Sequence, residues 1–188
     1  MASIIQQFNI FLKSSFSLKS RNDLFELIWK KYNQRITIFV RSMIKNKSID
    51  IGDISQDIML KVYENLHKYN PLYSFNTWIY SIARNHCLDC LKKKVLIYKN
   101  TSNLLDTINI NQNDSAINPD ENVILSEMHH IIKSYIGELN EIDRQISFLR
   151  FYEKLSYREI SKIINIPAGT IKYRVHNIRS GLKIVLEK

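Results

Sequence analysis

The densest set of groups able to ligate a metal or exchange a disulfide lies in the run RNHCLDCLKKK, where His86 precedes a C-x-x-C pair, Cys87 and Cys90. Thiolates and an imidazole suit zinc, but a structural zinc site closes with four ligands, and the remaining histidines supply no second pair at suitable spacing. A redox C-x-x-C needs a helix N-terminus to depress its attacking thiol. These cysteines instead fall deep inside a helical pattern running from about Thr77 to Lys94. At 3.6 residues per turn Ile79, Ile82, Ala83, Cys87 and Cys90 share one face, while Ser81, Arg84, Asn85 and Lys92 lie opposite. Core packing is the preferred role, and neither a metal nor a cofactor is expected.

A second constellation is written in LSYREISKIINIPAGTIKYRVHNIRSGLKIVLEK. Ser156 and Glu159 form an S-x-x-E capping box, and Ile160, Ile163 and Ile164 give the short helix after it one apolar side. NIPAG breaks that helix. From Thr170 onward Ile171, Val175, Ile178, Leu182 and Leu186 occupy one arc, and Lys172, Tyr173, His176, Asn177, Ser180 and Lys183 the other. An apolar seam backing a basic, hydrogen-bonding face is how a helix-turn-helix enters the major groove. Lys and Arg there reach phosphates or guanine edges, and Asn or His bonds base edges.

The elements that must carry these groups read as helices throughout. Gly 4 and Pro 3 in 188 residues leave few hairpin turns, and 45% hydrophobic residues leave room for one domain or two small ones. Leu24, Leu27, Ile28, Tyr32, Ile36 and Phe39 mark an amphipathic helix over 22–44; Ile54, Ile58, Val62 and Leu66 mark another over 53–67. The turn-rich loop YNPLYSFN follows. Residues 95–120 lose periodicity and turn acidic through Asp106, Asp114 and Asp120, as a flexible linker does. Asn118, Pro119 and Glu121 then open a helix with a capping box, and Asn140 caps the next, through Phe151.

The net charge of +9 points to an anionic partner, because clustered cations gain affinity by releasing counterions from a polyanion. Two cysteines in one stretch make no disulfide framework and fit a reducing cytoplasm. The N-terminal stretch lacks a basic n-region and is interrupted by Lys13, so it reads as a short arm over 1–21, with no membrane insertion. No phosphate-binding glycine loop, nucleophile elbow or spaced metal triad is written in the chain, which argues against an enzyme.

Together the two halves resemble a family. DISQDIMLKVYENLHKYNPLYSFNTWIYSIARNHCLDCLKKK is similar to region two of bacterial RNA polymerase sigma factors of the sigma-70 family, in particular the extracytoplasmic-function branch. That branch carries a D-x-x-Q helix, an aromatic loop and a T-W-[LI]-Y-x-I-A-R-N helix. DRQISFLRFYEKLSYREISKIINIPAGTIKYRVHNIR resembles region four in L-S-Y-x-E-I and G-T-[VI]-K-x-R-[VL]-H. The resemblance implies an all-α chain of two small helical domains, residues 22–94 and 121–188, joined by the linker.

It also implies roles. Asp53, Gln56, Asp57, Leu60 and Glu64 would dock on the beta-prime clamp helices of core RNA polymerase. Asn70, Tyr73, Ser74, Phe75 and Asn76 would capture an unpaired base of the minus-ten element, whose extrusion aromatic faces and polar groups offset. Tyr73 and Phe75 have core closure as the other role open to them. Trp78 fits a wedge at the melted edge or a core anchor beside Ile82, the anchor being preferred. Arg84, Asn85, Lys92, Lys93 and Lys94 would meet phosphates. Thr170, Lys172, Tyr173, Arg174, His176, Asn177 and Arg179 would read the minus-thirty-five element. The partners implied are core polymerase, through its clamp helices and beta flap, promoter DNA and an anti-sigma factor. Departures at Asn140, where the family often has proline, at Cys90 and at Asn177 leave the promoter sequence open. The rival reading is an autonomous helix-turn-helix regulator that binds duplex DNA as a dimer.

Overall fold

The computed structural model describes residues 18–45, 49–71, 73–100 and 123–187, with no side-chain detail for 18–20, 94–100 and 123–127. Seven α-helices and no strand occur among the described residues. α1 (Leu18–Met43), α2 (Ile51–Asn65) and α3 (Phe75–Asn100) form an N-terminal unit. α4 (Val123–Glu138), α5 (Glu141–Ser147), α6 (Tyr157–Ile164) and α7 (Ala168–Leu186) form a C-terminal one.

Each boundary has a local cause. Asp50 caps α2, its side chain accepting from the amides of Gly52 at 2.7 Å and Asp53 at 3.2 Å, donors the first turn leaves unsatisfied. Asn140 caps α5 by accepting from the Asp143 amide at 2.9 Å. The capping box of α6 is complete: the Ser156 hydroxyl accepts from the Glu159 amide at 3.2 Å, and the Glu159 carboxylate accepts from the Ser156 amide at 2.9 Å. Asn165 ends α6 in the left-handed region, φ 59°, a conformation its short amide side chain tolerates. The break at NIPAG is therefore made two residues before proline, and α7 begins at Ala168, one half-turn earlier than the sequence pattern at Thr170 suggests.

Along α1 the stripe Leu24, Ile28, Tyr32, Ile36, Phe39, Val40 and Met43 is buried against α2 and α3. Leu27, expected on that face, stands at its edge and is 37% exposed. Ile58, Met59 and Val62 fill the facing side of α2, and Ile79, Tyr80, Ala83 and Cys87 that of α3. In the C-terminal unit Ile160, Ile163 and Ile164 of α6 meet Ile171, Val175 and Ile178 of α7. Leu186, placed by periodicity on the same arc, lies beyond the last packed turn and is 39% exposed. α4 crosses α7 closely: the Tyr135 hydroxyl donates to the Ile178 carbonyl at 3.1 Å, and a Cβ on Gly181 would stand 2.2 Å from that hydroxyl.

Two expectations shift. α3 continues to Asn100, six residues into the segment read as linker, because VLIYK carries no breaker and the polar run starts only at Asn100. α5 stops at Ser147, and Phe148–Tyr152 form a π-helical turn in which Phe151 points outward, where a single helix through Phe151 was expected. α1 begins at Leu18, four residues inside the stretch read as an arm over 1–21; the rest of that arm, the Asn118–Glu121 cap and the acidic run lie outside the described residues.

The two units pack on each other along α1 with α5 and α3 with α6. The Phe148 ring sits 5.5 Å from Phe39 and 5.7 Å from Tyr80, so C-terminal apolar groups complete the N-terminal core.

Candidate nucleic-acid interface

The loop before α3 is folded back on itself by its own backbone. The Tyr73 amide donates to the Asn70 carbonyl at 3.1 Å, and the Tyr69 hydroxyl donates to the Tyr73 carbonyl at 2.6 Å. Ser74 begins the helix, its hydroxyl 3.5 Å from the Thr77 amide. The result is a cavity of about 440 Å³ walled by Tyr69, Tyr73 and Trp78, with Asn70, Ser74, Thr77 and Ser81 supplying polar groups. Tyr73 is 62% exposed at the mouth, where the Lys162 ammonium of α6 stands 5.7 Å from the centre of its ring and Glu159 joins the lining. A hydrogen-bonding rim beside aromatic rings is what a single unpaired base requires.

Of the loop residues singled out from the sequence, Asn70, Tyr73 and Ser74 line this cavity. Phe75 does not. It is turned into the core, its ring 5.4 Å from Tyr32 and 5.1 Å from Tyr69, because the helical register of α3 puts it on the buried side with Ile79. Asn76 is engaged from behind, its amide oxygen accepting from the buried Tyr32 hydroxyl. Burial pushes the Tyr32 phenol up to about 12, so it stays a donor across the physiological range. Trp78 is half-buried: its ring lies 5.2 Å from Tyr69 and 5.3 Å from Phe75, and it borders Ile82. Thr77, Ser81 and Lys68 join the lining without having been singled out; Ser74, Thr77 and Ser81 at spacings of three and four were the available sign of one polar helix face.

On α2, Asp53, Gln56, Asp57, Leu60 and Glu64 all lie on the outer face, and Leu60 is 55% exposed, an acidic surface with an apolar centre. Asn85, Lys92 and Lys93 are exposed on α3. Arg84 is half-buried, its Nε donating to Gln145 of the C-terminal unit at 3.3 Å, and burial lowers its pKa. Lys94 lies outside the side chains described.

On α7, Thr170, Lys172, Tyr173, His176, Asn177 and Arg179 project from the face away from the seam, and Tyr173 is 65% exposed. Arg174 differs from its neighbours. It is half-buried and its Nη1 lies 2.9 Å from Asp143, an ion pair that ties α7 to α5.

The cysteines follow the packing pattern. Cys87 is fully buried and Cys90 half-buried, both as free thiols. Burial, then the neighbouring Cys90, pushes the Cys87 thiol up to about 12, and burial also raises Cys90. His86 stands 3.7 Å from the Cys90 sulfur and 3.6 Å from Asp57; burial lowers its pKa, so the ring is neutral at pH 7. Among the described residues no group of three His, Cys, Asp or Glu is placed to hold a metal ion. Iodoacetamide at pH 8 is expected to leave Cys87 unmodified in the folded protein, since its thiolate is about one part in ten thousand there. Peptide mass spectrometry reads this; native labelling of Cys87 at the rate of an unfolded control contradicts its burial.

Known proteins share these features in the same order. The family model described as sigma-70 region 2 matches residues 28–96, and that of sigma-70 region 4 matches residues 129–181. The chain is 28% identical over 169 residues to the ECF RNA polymerase sigma factor SigW of Bacillus subtilis, covering 88% of this chain and 90% of that one. It is also 28% identical over 170 residues to the ECF RNA polymerase sigma-E factor of Escherichia coli, with 87% of each chain covered. The fold is shared with the sigma factor RpoE of Bartonella quintana in complex with the anti-sigma factor NepR, at a TM-score of 0.64 and 18% identity over 87% of this chain and 96% of that one. With both regions present in order, each on its own helical unit, this chain belongs to the extracytoplasmic-function branch of the sigma-70 family.

Proposed function

We propose that this chain directs promoter recognition, strand opening and transcription initiation as a dissociable subunit of RNA polymerase, without catalytic chemistry of its own. The observation that carries the reading is the aromatic cavity at the start of α3, walled by Tyr69, Tyr73 and Trp78, in a chain that also exposes a basic recognition helix. Unpaired bases need such a cavity and duplex DNA has no use for it. In this reading the outer face of α2, centred on Leu60, docks on the clamp helices of core polymerase. Asn70, Tyr73 and Ser74 hold a minus-ten base, with Phe75 and Asn76 fixing the loop from behind. Asn85, Lys92 and Lys93 meet phosphates, and Lys172, Tyr173, His176, Asn177 and Arg179 read the minus-thirty-five element with Thr170.

The place of action is the cytoplasm, where polymerase and DNA are; among the described residues no helix is long and apolar enough to cross a membrane. An anti-sigma factor is a further partner, in keeping with the complex formed by the Bartonella relative.

The test mixes the full chain with core polymerase and fork-junction DNA drawn from a genomic promoter library, alongside the chain with duplex DNA alone. Expected is transcript formation that needs both this chain and core enzyme, lowered at least tenfold by Tyr73→Ala. Tight sequence-specific duplex binding by a dimer, with no polymerase dependence, hands the function to an autonomous regulator.

A further inference from the structure

The cations of α7 do not stand on the face that would lie deepest in a groove. Lys172 and Arg179 come three residues before and four after the buried Val175, so both border the apolar seam on one side; Arg174 borders it on the other, beside Ile171 and Ile178. Two of the three are also held back toward the protein, Arg174 by Asp143 at 2.9 Å and Arg179 over the Phe151 ring at 5.5 Å. Their place suits the phosphates along the groove walls.

The strip opposite the seam consists of Tyr173, His176, Asn177 and Ser180, all exposed, at the i, i+3, i+4, i+7 spacing with which recognition helices meet base edges. No side chain of the four makes a hydrogen bond or ion pair among the described residues. Gly169, four residues before Tyr173, continues the strip, and a Cβ there would meet no other part of the protein within 4 Å. Packing therefore gives glycine no advantage over alanine, the better helix former, whereas a bare backbone lets the start of α7 come close to DNA.

A strip without a guanidinium or an ammonium cannot make the two-point cationic contact to guanine O6 and N7. Its one planar group with a donor and an acceptor side by side is the Asn177 carboxamide. The matching base edge is adenine, whose N7 accepts from the amide nitrogen while its N6 donates to the amide oxygen. Tyr173 and Ser180 have one hydroxyl each, and an imidazole turns one nitrogen at a time to a base, so none of these grips two atoms of one base edge.

We propose that Asn177 sets the specificity of the upstream element by pairing with one adenine in the major groove, at a step where an arginine would select guanine. The proposal rests on the reading of α7 as the helix that enters the minus-thirty-five element, and it names the base that helix demands. A good two-point pair discriminates against the wrong base by roughly five- to a hundredfold.

The test uses the full chain with core RNA polymerase and, as probe, the duplex that this complex selects from random sequence, remade with every single base-pair change across the upstream element. Affinities are compared between bases within one variant, which cancels the extra charge that Asn177→Arg brings. Expected for the wild type is one position where adenine is favoured at least fivefold over every other base. Asn177→Ala should lose that preference and keep those at other positions, and Asn177→Arg should favour guanine there. Replacing the adenine by 7-deazaadenine, which removes N7 and keeps the Watson–Crick pair, should weaken the wild type at least threefold and leave Asn177→Ala unmoved.

An adenine preference indifferent to 7-deazaadenine overturns the two-point pair. So does a wild-type preference for another base at the position that Asn177→Ala alters. Preferences unchanged by Asn177→Ala, in a complex that still loses the duplex when Lys172 and Arg179 become glutamate, overturn the proposal and leave α7 as the recognition helix. Preferences that survive both sets of changes remove α7 from the upstream element, and the proposal with it.

Discussion

Replacing Lys172 and Arg179 together by glutamate is expected to lower the affinity of the polymerase complex for upstream duplex DNA roughly a hundredfold at physiological salt. Both residues are exposed on α7, and Arg179 spends its charge on nothing stronger than the Phe151 ring at 5.5 Å. Each contact of this kind is worth about 1–3 kcal/mol, so losing two removes roughly 2–6 kcal/mol before any repulsion by the new carboxylates. The slope of log affinity against log salt should flatten by about two, since each neutralised phosphate contributes about 0.9. Binding is measured by salt titration on a duplex selected from random sequence by the wild-type complex. An unchanged slope and affinity would take α7 out of DNA recognition. Arg174 makes a poor choice for the same experiment. Its pairing with Asp143 means that Arg174→Ala changes how α7 is seated as well as what it touches, and its effect on DNA cannot be separated from that.

Arg174 also shows where the sequence stops being legible. Its position in T-I-K-Y-R-V-H puts it at the border of the apolar seam, with Ile171 three residues before and Ile178 four after, and the local pattern does not say which group it pairs with. What sets it apart is Asp143, thirty-one residues earlier in the chain, brought near by the packing of α5 on α7. Caps and stripes are different, because their causes lie within a few residues. Asn140 and Ser156 with Glu159 were readable as N-termini, and Cys87 as a core residue, from spacing alone. The cavity falls between these cases. Its aromatic loop was readable, but the orientation of Phe75 depended on where the register of α3 began, and the presence of Glu159 and Lys162 on its rim depended on contact between units almost ninety residues apart. No periodicity carries that information.

The contact between the two units makes the final prediction. Phe39→Ala is expected to cost about 3–5 kcal/mol of folding stability, the range for deleting a buried ring when the site collapses incompletely. Phe39 is 0% exposed and lies between Tyr80 at 5.2 Å and Phe148 at 5.5 Å, so the cavity opens on both units at once. Ile58→Ala, at a site equally buried on α2 within the N-terminal unit, is the comparison. Both variants should unfold at lower urea, but only Phe39→Ala should be coupled to Phe148→Ala, with a double-mutant interaction of about 0.5–1.5 kcal/mol for an aromatic pair. Urea denaturation followed by circular dichroism measures all four species of the cycle. A coupling near zero would mean that the two units touch without stabilising each other, and that Phe148 serves the C-terminal unit alone. A coupling in the expected range would mean that separating the units, as simultaneous contact with two promoter elements requires, exposes apolar surface that core polymerase and DNA must cover.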